Sequence, residues 1–265
     1  MQRFGIVFFL AMIIQTGCHP DSSNSELQAA KKNSFCLGSC PKVQSGNLYV
    51  EHDIFSLSNN PKTKFADWAA YKLTPESIGP SQARIWKADP KLHESDTLQP
   101  LDYEGASEAL KIDRGHQVPL ANFTGTAYWK NTNYLSNITP QDSELNQGIW
   151  KKLEDLERDI TLSRKQSTWV LTGPVYEYFY GELPKTDKPH TIPSGYWKII
   201  MIKDGRETKV GGFFFEQTDG KDKDICQHFA SIAELNKKSG LNLLKDIPSE
   251  ERDENNDIKE LIGCS

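Results

Sequence analysis

The run Ile112-Asp113-Arg114-Gly115-His116-Gln117-Val118-Pro119 puts a histidine where proton transfer is feasible. Charged residues packed against a glycine, bounded by apolar ones and closed by proline, suggest a strand end turning into a loop. His116 there can serve as a neutral general base, since its ordinary pKa lies near ambient pH. A loop histidine that only hydrogen-bonds its surroundings fits the same run. Downstream, Leu145, Ile149, Leu153, Leu156 and Ile160 recur at helical spacing and predict an amphipathic helix from near Ser143 to about Ile160. Beside that stripe Asn146, Trp150, Glu154 and Arg158 follow four apart, a slowly curving row on one side of the helix. Glu154 and Arg158 are spaced for an i,i+4 ion pair, worth about a few tenths of a kcal/mol. A solvated face accounts for the row as well as a site does, and Trp150 suits a core anchor.

The order of the motifs separates these readings. Asp113-Arg114-Gly115-His116, Asn137-Ile138-Thr139-Pro140-Gln141, Leu145-Asn146-Gln147, Trp150 and Leu153-Glu154 follow one another. Trp86-Lys87 and Asp89-Pro90 lie upstream, Gly173-Pro174 and Ile192-Pro193 downstream. Together they resemble the sugar-non-specific DNA/RNA endonucleases of the ββα-metal (His-Me finger) superfamily, over nearly all of Cys36–Cys264.

That resemblance implies a division of labour. His116 is then the general base that deprotonates water for in-line attack on a phosphodiester. Asn146 is the direct protein ligand of one Mg²⁺, with Mn²⁺ a possible substitute, and water fills most of the remaining coordination sphere. A neutral amide suits a hard cation that keeps several waters. Glu154 holds those waters from further out. Arg84 falls where the family places an arginine facing the scissile phosphate. Arg158 matches another phosphate-side arginine, Arg114 is a supporting candidate, and Asn137 orients His116 or the metal's waters. Cleavage leaves 5′-phosphate ends on DNA and RNA, single- or double-stranded. Contacts to phosphate and sugar carry no base information and make binding salt-sensitive. Acid abolishes activity as His116 takes its proton.

These residues need a scaffold. Strand signals are Thr168–Thr172, Tyr196–Lys203 and Lys209–Phe215, the last two flanking an Asp204-Gly205 hairpin turn. Phe65–Leu73 is ambiguous between strand and helix. A second helix opens with the capping-box pattern Ser231 to Glu234 and ends at Gly240. Strands and helices without βαβ alternation predict an α+β fold, a central antiparallel sheet flanked by helices, as the ββα-metal resemblance also implies.

The 265 residues suffice for one large or two small domains, and no run reaches the ~20 apolar residues of a membrane span. A net charge of −5 excludes a globally basic nucleic-acid binder and leaves room for a local basic cleft. Arg3 followed by the apolar run Phe4–Ile14 reads as a signal peptide over 1–17. Gln15-Thr16-Gly17-Cys18 resembles a bacterial lipoprotein signal, with Gln15 where an aliphatic residue is usual. A lipidated Cys18 and a polar tether would then fill 18–35, ahead of a nuclease domain over 36–265. The protein is expected to be exported, as a periplasmic or cell-surface lipoprotein, at the outer membrane, or released extracellularly, touching the membrane only through Cys18. Setting Cys18 aside leaves four cysteines, which can pair fully in an oxidising compartment in three ways. Cys36–Cys40 with Cys226–Cys264 is favoured, because the latter pair flanks the C-terminal segment. The six histidines show no ligand-pair spacing for zinc. Two other functions compete: a tethered binding protein that captures nucleic acid without cutting it, and a phosphodiesterase acting on small nucleotides.

Overall fold

The structure, a computed structural model, describes Met1 and residues 34–264. The expected signal peptide, Cys18 and most of the tether lie outside the described residues. The compact unit Asn33–Ser265 carries every element that follows. In chain order these are β1 (Leu48–Glu51), β2 (Phe55–Asn60), β3 (Phe65–Leu73), α1 (Ala106–Leu110), β4 (Ile112–His116) and β5 (Ile138–Asp142). Then come α2 (Ser143–Gln147), α3 (Ile149–Arg164), β6 (Thr168–Val175), β7 (Gly195–Asp204) and β8 (Glu207–Glu216). The unit closes with α4 (Ile232–Ser239), β9 (Arg252–Glu254) and α5 (Asn256–Leu261).

Seven strands form one sheet in the order β1-β2-β3-β6-β7-β8-β9. All neighbours are antiparallel except β8 and the three-residue β9, which run parallel. The ambiguous Phe65–Leu73 is a strand, paired on one side with β2 and on the other with β6. Its Trp68 and Ala70 face one core while Ala69, Tyr71 and Leu73 face another. β7 alternates in the same way: Tyr196, Ile200 and Ile202 point one way, and Trp197, Ile199 and Met201 the other. Burial on both faces explains why these strands read as near-continuous apolar runs. The β7–β8 hairpin pairs Asp204 with Glu207 around Gly205, whose φ of +59 suits a residue without Cβ. Ser231 caps α4 in a reciprocal box with Glu234, and Gly240 ends it in the left-handed conformation.

One core is covered by α3 and the other by α4 with the segment Leu241–Ile247. Of the three possible cysteine pairings, the structure holds Cys36–Cys40 and Cys226–Cys264. Among the described residues no helix is long and apolar enough to cross a membrane.

A separate two-stranded hairpin, β4 with β5, sits beside the large sheet and leads straight into α2 and α3. Its own small core packs Ile112 and Ile138 with Tyr103, Leu135 and Ile192. Buried Gln217, just past β8, docks it on the sheet by donating to Pro140 O at 2.9 Å and Pro193 O at 3.0 Å. The same side chain accepts from Asp142 N at 2.8 Å, so one amide satisfies three backbone groups.

Candidate active site

The β4–β5 register sets Asp113 opposite Gln141 and His116 opposite Ile138. Gly115 is required by close approach: a Cβ there would lie 2.5 Å from Gln141 Oε1 and 2.7 Å from Gln141 Cβ. His116, at the strand end, packs against Trp86 with centroids 5.2 Å apart and the rings tilted by 37°, and sets Nε2 3.4 Å from Asn133 Oδ1. Burial, with the Arg84 charge second, pushes its pKa down to about 4, against a smaller opposing effect of the Asn133 hydrogen bond. The ring is therefore neutral at ambient pH.

Asn146, on α2, lines the same cleft as His116. Its Nδ2 donates to Asp113 Oδ2 at 2.8 Å, and Gln147 Nε2 does the same at 2.8 Å. Ser143 Oγ donates to the other oxygen at 2.9 Å. A carboxylate only accepts, so this arrangement fixes which end of the Asn146 amide is which. Its Oδ1 accepts no hydrogen bond from the described residues in the structure.

The single helix expected from Ser143 is two helices, broken at Gly148 with φ −103 and ψ −112. A Cβ at that position would lie 2.4 Å from Glu144 O and 2.8 Å from Lys221 Cα. Asn146 therefore leaves the row expected with Trp150, Glu154 and Arg158, and α2 aims it separately. Trp150 is a core anchor, its ring against Tyr196 and Phe215. The buried stripe of α3 also departs from expectation: Glu157 is fully buried while Leu156 is only half-buried.

Glu154 lies on the cleft side of α3. Burial pushes its pKa up to about 7, with the Lys198 charge pulling against that and Glu157 adding to it. The expected Glu154–Arg158 pair does not form. Arg158 instead pairs with Asp155 and donates from Nη1 to Asn122 Oδ1 at 2.7 Å.

A cleft of about 1390 Å³ brings Arg84, Arg114, His116, Asn146, Glu154 and Arg158 together. Asn137 does not join them. It is fully buried, accepts from Val118 N and donates to Val118 O and Thr132 O, each at 2.9 Å. Its amide is spent on the turn that follows His116, so it cannot orient the ring or waters directly. Arg114 is a wall residue as much as a phosphate candidate, lying over Tyr103 and Trp86 and donating to Pro100 O at 3.0 Å.

The segment carrying Arg84 and Trp86 is pinned just downstream by Asp89, which receives His52 Nε2 at 2.9 Å and Ser136 Oγ. Burial works against its charge, yet those hydrogen bonds hold its carboxyl below the usual range. Sequence reasoning assigned no role to Asp113, Asn133, Asn122 or the Lys198–Glu157 pair. The available signals were Asp113 inside the quoted motif and Lys198 in the middle of an apolar strand.

The donor set discriminates between metals. Among the described residues no group of three His, Cys, Asp or Glu side chains is gathered to hold an ion, which rules against a zinc-type cage there. One amide oxygen, with a carboxylate further along the cleft, fits a hard cation bound mostly through water.

A two-stranded unit that delivers histidine, followed by two consecutive helices that bring an amide and then a carboxylate to one cleft, defines a ββα-metal nuclease. Residues 40–250 match the family described as DNA/RNA non-specific endonuclease. The chain is 43% identical over 235 residues to a nuclease of Serratia marcescens, covering 86% of this chain and 88% of that one. It is 29% identical over 167 residues to human mitochondrial endonuclease G, covering 56% and 52% respectively. In three dimensions it is similar to a solved EndoG/EndoGI complex with a TM-score of 0.67 and 21% identity, over 78% of this chain and 89% of that one. The chain belongs to the DNA/RNA non-specific endonuclease family, and is thus a hydrolytic nuclease of a metal-dependent kind.

Proposed function

We propose that this protein is an exported, Mg²⁺-dependent endonuclease that hydrolyses DNA and RNA, single- or double-stranded, without reading base sequence. The observation that carries this reading is a neutral histidine and an uncommitted amide oxygen sharing one cleft with three arginines. With Nε2–H turned to Asn133 Oδ1, Nδ1 of His116 holds the free lone pair that takes a proton from water. The water oxygen bonds to phosphorus, the bond to the 3′ oxygen breaks, and the products carry 5′-phosphate and 3′-hydroxyl ends. General-base assistance of this kind contributes about 10²–10⁴-fold.

Asn146, held by Asp113, is the residue that would ligate Mg²⁺ directly, and Glu154 would hold its water shell. The ion, when bound, supplies positive charge to the phosphate and the departing oxygen, and Mn²⁺ can substitute. Arg84, at the exposed mouth, and Arg158, on the helix, face the phosphate, while Arg114 lines the wall between them. Two disulfides agree with an oxidising, extracytoplasmic location. Lipid at Cys18 would tether the enzyme at the periplasmic or outer surface, and Cys18→Ser should release it from the membrane fraction.

The decisive test incubates the mature protein with supercoiled plasmid and with total RNA, in Mg²⁺ and in EDTA. Both polymers are degraded in Mg²⁺ only, and His116→Ala leaves them intact. Intact polymers with folded, oxidised wild-type protein would overturn the proposal in favour of a binding protein or a small-nucleotide phosphodiesterase.

A further inference from the structure

Below the cleft runs a chain of buried polar groups that proton transfer and metal binding do not use. Lys198 Nζ meets Glu157 Oε1 at 2.6 Å with both side chains fully buried. Glu157 Oε2 accepts Tyr71 Oη at 2.8 Å and Asn122 Nδ2 at 2.8 Å. Asn122, itself fully buried, accepts Arg158 Nη1 on its Oδ1 at 2.7 Å. The linked groups come from β3, β7, α3 and the turn after β4.

A buried ion pair is a weak source of stability, since the cost of desolvating both charges offsets much of their attraction. Direction is what this one supplies. The carboxylate can only accept, so the Asn122 amide must turn its NH₂ towards Glu157 and its oxygen towards Arg158. Reversed, it would set oxygen against oxygen and NH₂ against guanidinium. Arg158 has a second hold on Asp155, but that carboxylate is 42% exposed and open to competition from an incoming phosphate. The Asn122 hold is buried and persists.

We infer that Asn122 is a positioning residue, oriented by the Lys198–Glu157 pair, that aims the Arg158 guanidinium at the substrate phosphate. This rests on the nuclease reading of the cleft. It predicts coupling between two side chains of which only one touches substrate.

The test is a double-mutant cycle with Asn122→Ala and Arg158→Ala, measuring kcat and KM on polymeric RNA at fixed Mg²⁺ and salt, with thermal midpoints alongside. Asn122→Ala is expected to lower kcat/KM about tenfold with a raised KM, and to cost less than about twofold when Arg158 is already alanine. A merely smaller folded fraction lowers Vmax and leaves KM unchanged. Equal losses in both backgrounds, or a loss confined to Vmax, would overturn the inference while leaving the nuclease reading intact. An Arg158→Ala enzyme as active as its parent refutes the phosphate role of Arg158 and the inference with it. If Asn122→Ala does not fold, Asn122→Ser takes its place, its shorter hydroxyl being unable to span both partners.

Discussion

His116 should remain an active base far below the ordinary histidine range. Its folded pKa is pushed from 6.5 to about 4, by burial first and the Arg84 charge second. That displacement corresponds to roughly 3 kcal/mol in favour of the neutral ring. The direction matters: a lowered pKa means that the ring takes its proton only on reaching about pH 4. The acid limb of kcat/KM, which reports the free enzyme, should therefore fall through about pH 4 and not near 6.5, where an unperturbed histidine would place it. Arg84→Met removes the smaller of the two causes and should move the limb to higher pH, short of the ordinary histidine value because burial remains. The assay is kcat/KM for RNA from pH 3.5 to 8 at saturating Mg²⁺, with circular dichroism at each pH to confirm the fold. Saturating metal is essential because Glu154 titrates near 7 and would otherwise add its own limb. A limb at 6.5 under those conditions, or one that stays in place in Arg84→Met, would refute the electrostatic account of the base.

Four further outcomes are expected. Because burial raises Glu154 to about 7, Mg²⁺ affinity should fall about tenfold per pH unit below 7, and Glu154→Gln should bind more weakly with that slope lost, as read by Mg²⁺ titrations at several pH values. Asp113→Ala, which frees the Asn146 amide to rotate, should raise the half-saturating Mg²⁺ concentration about 10–100-fold in activity titrations. Gly148→Ala forces a methyl against Glu144 O and the Lys221 backbone, which should cost roughly 2 kcal/mol and lower the melting temperature by about 4–8 °C in calorimetry. Lys198→Met strands Glu157 in the core at about 3–5 kcal/mol by denaturant unfolding, and adding Glu157→Leu should recover only part of that loss, because Tyr71 Oη and Asn122 Nδ2 then lose their buried acceptor.

Much of the scaffold was legible because its signals are local. The Asp204-Gly205 turn, the Ser231 cap and the apolar runs of β6 to β8 each declare themselves within a few residues. The histidine, amide, carboxylate and arginines of the cleft were legible through the ordered motifs. What escaped notice depended on contacts distant in sequence. Gly148 looks like a tolerated glycine inside a helix until Lys221, from the segment after β8, is seen packed against it. Glu157 passes for a surface residue of α3 until Lys198 is found beneath it on β7. Asn137 has the residue type of a site and the neighbours of a turn, a distinction carried only by its three backbone partners. Phe65–Leu73 stayed ambiguous because burial on both faces removes the alternation that marks a half-exposed strand.

That double-sided burial also divides the labour of the molecule. The face of the sheet under α3 supports the cleft, whereas Trp68, Trp197, Ile199 and Met201 on the other face meet α4 and the Cys36 segment. The sheet acts as a bulkhead between chemistry and ballast. A lineage can rewrite the far compartment for heat, brine or oxidants while the nuclease next door keeps cutting at its accustomed rate.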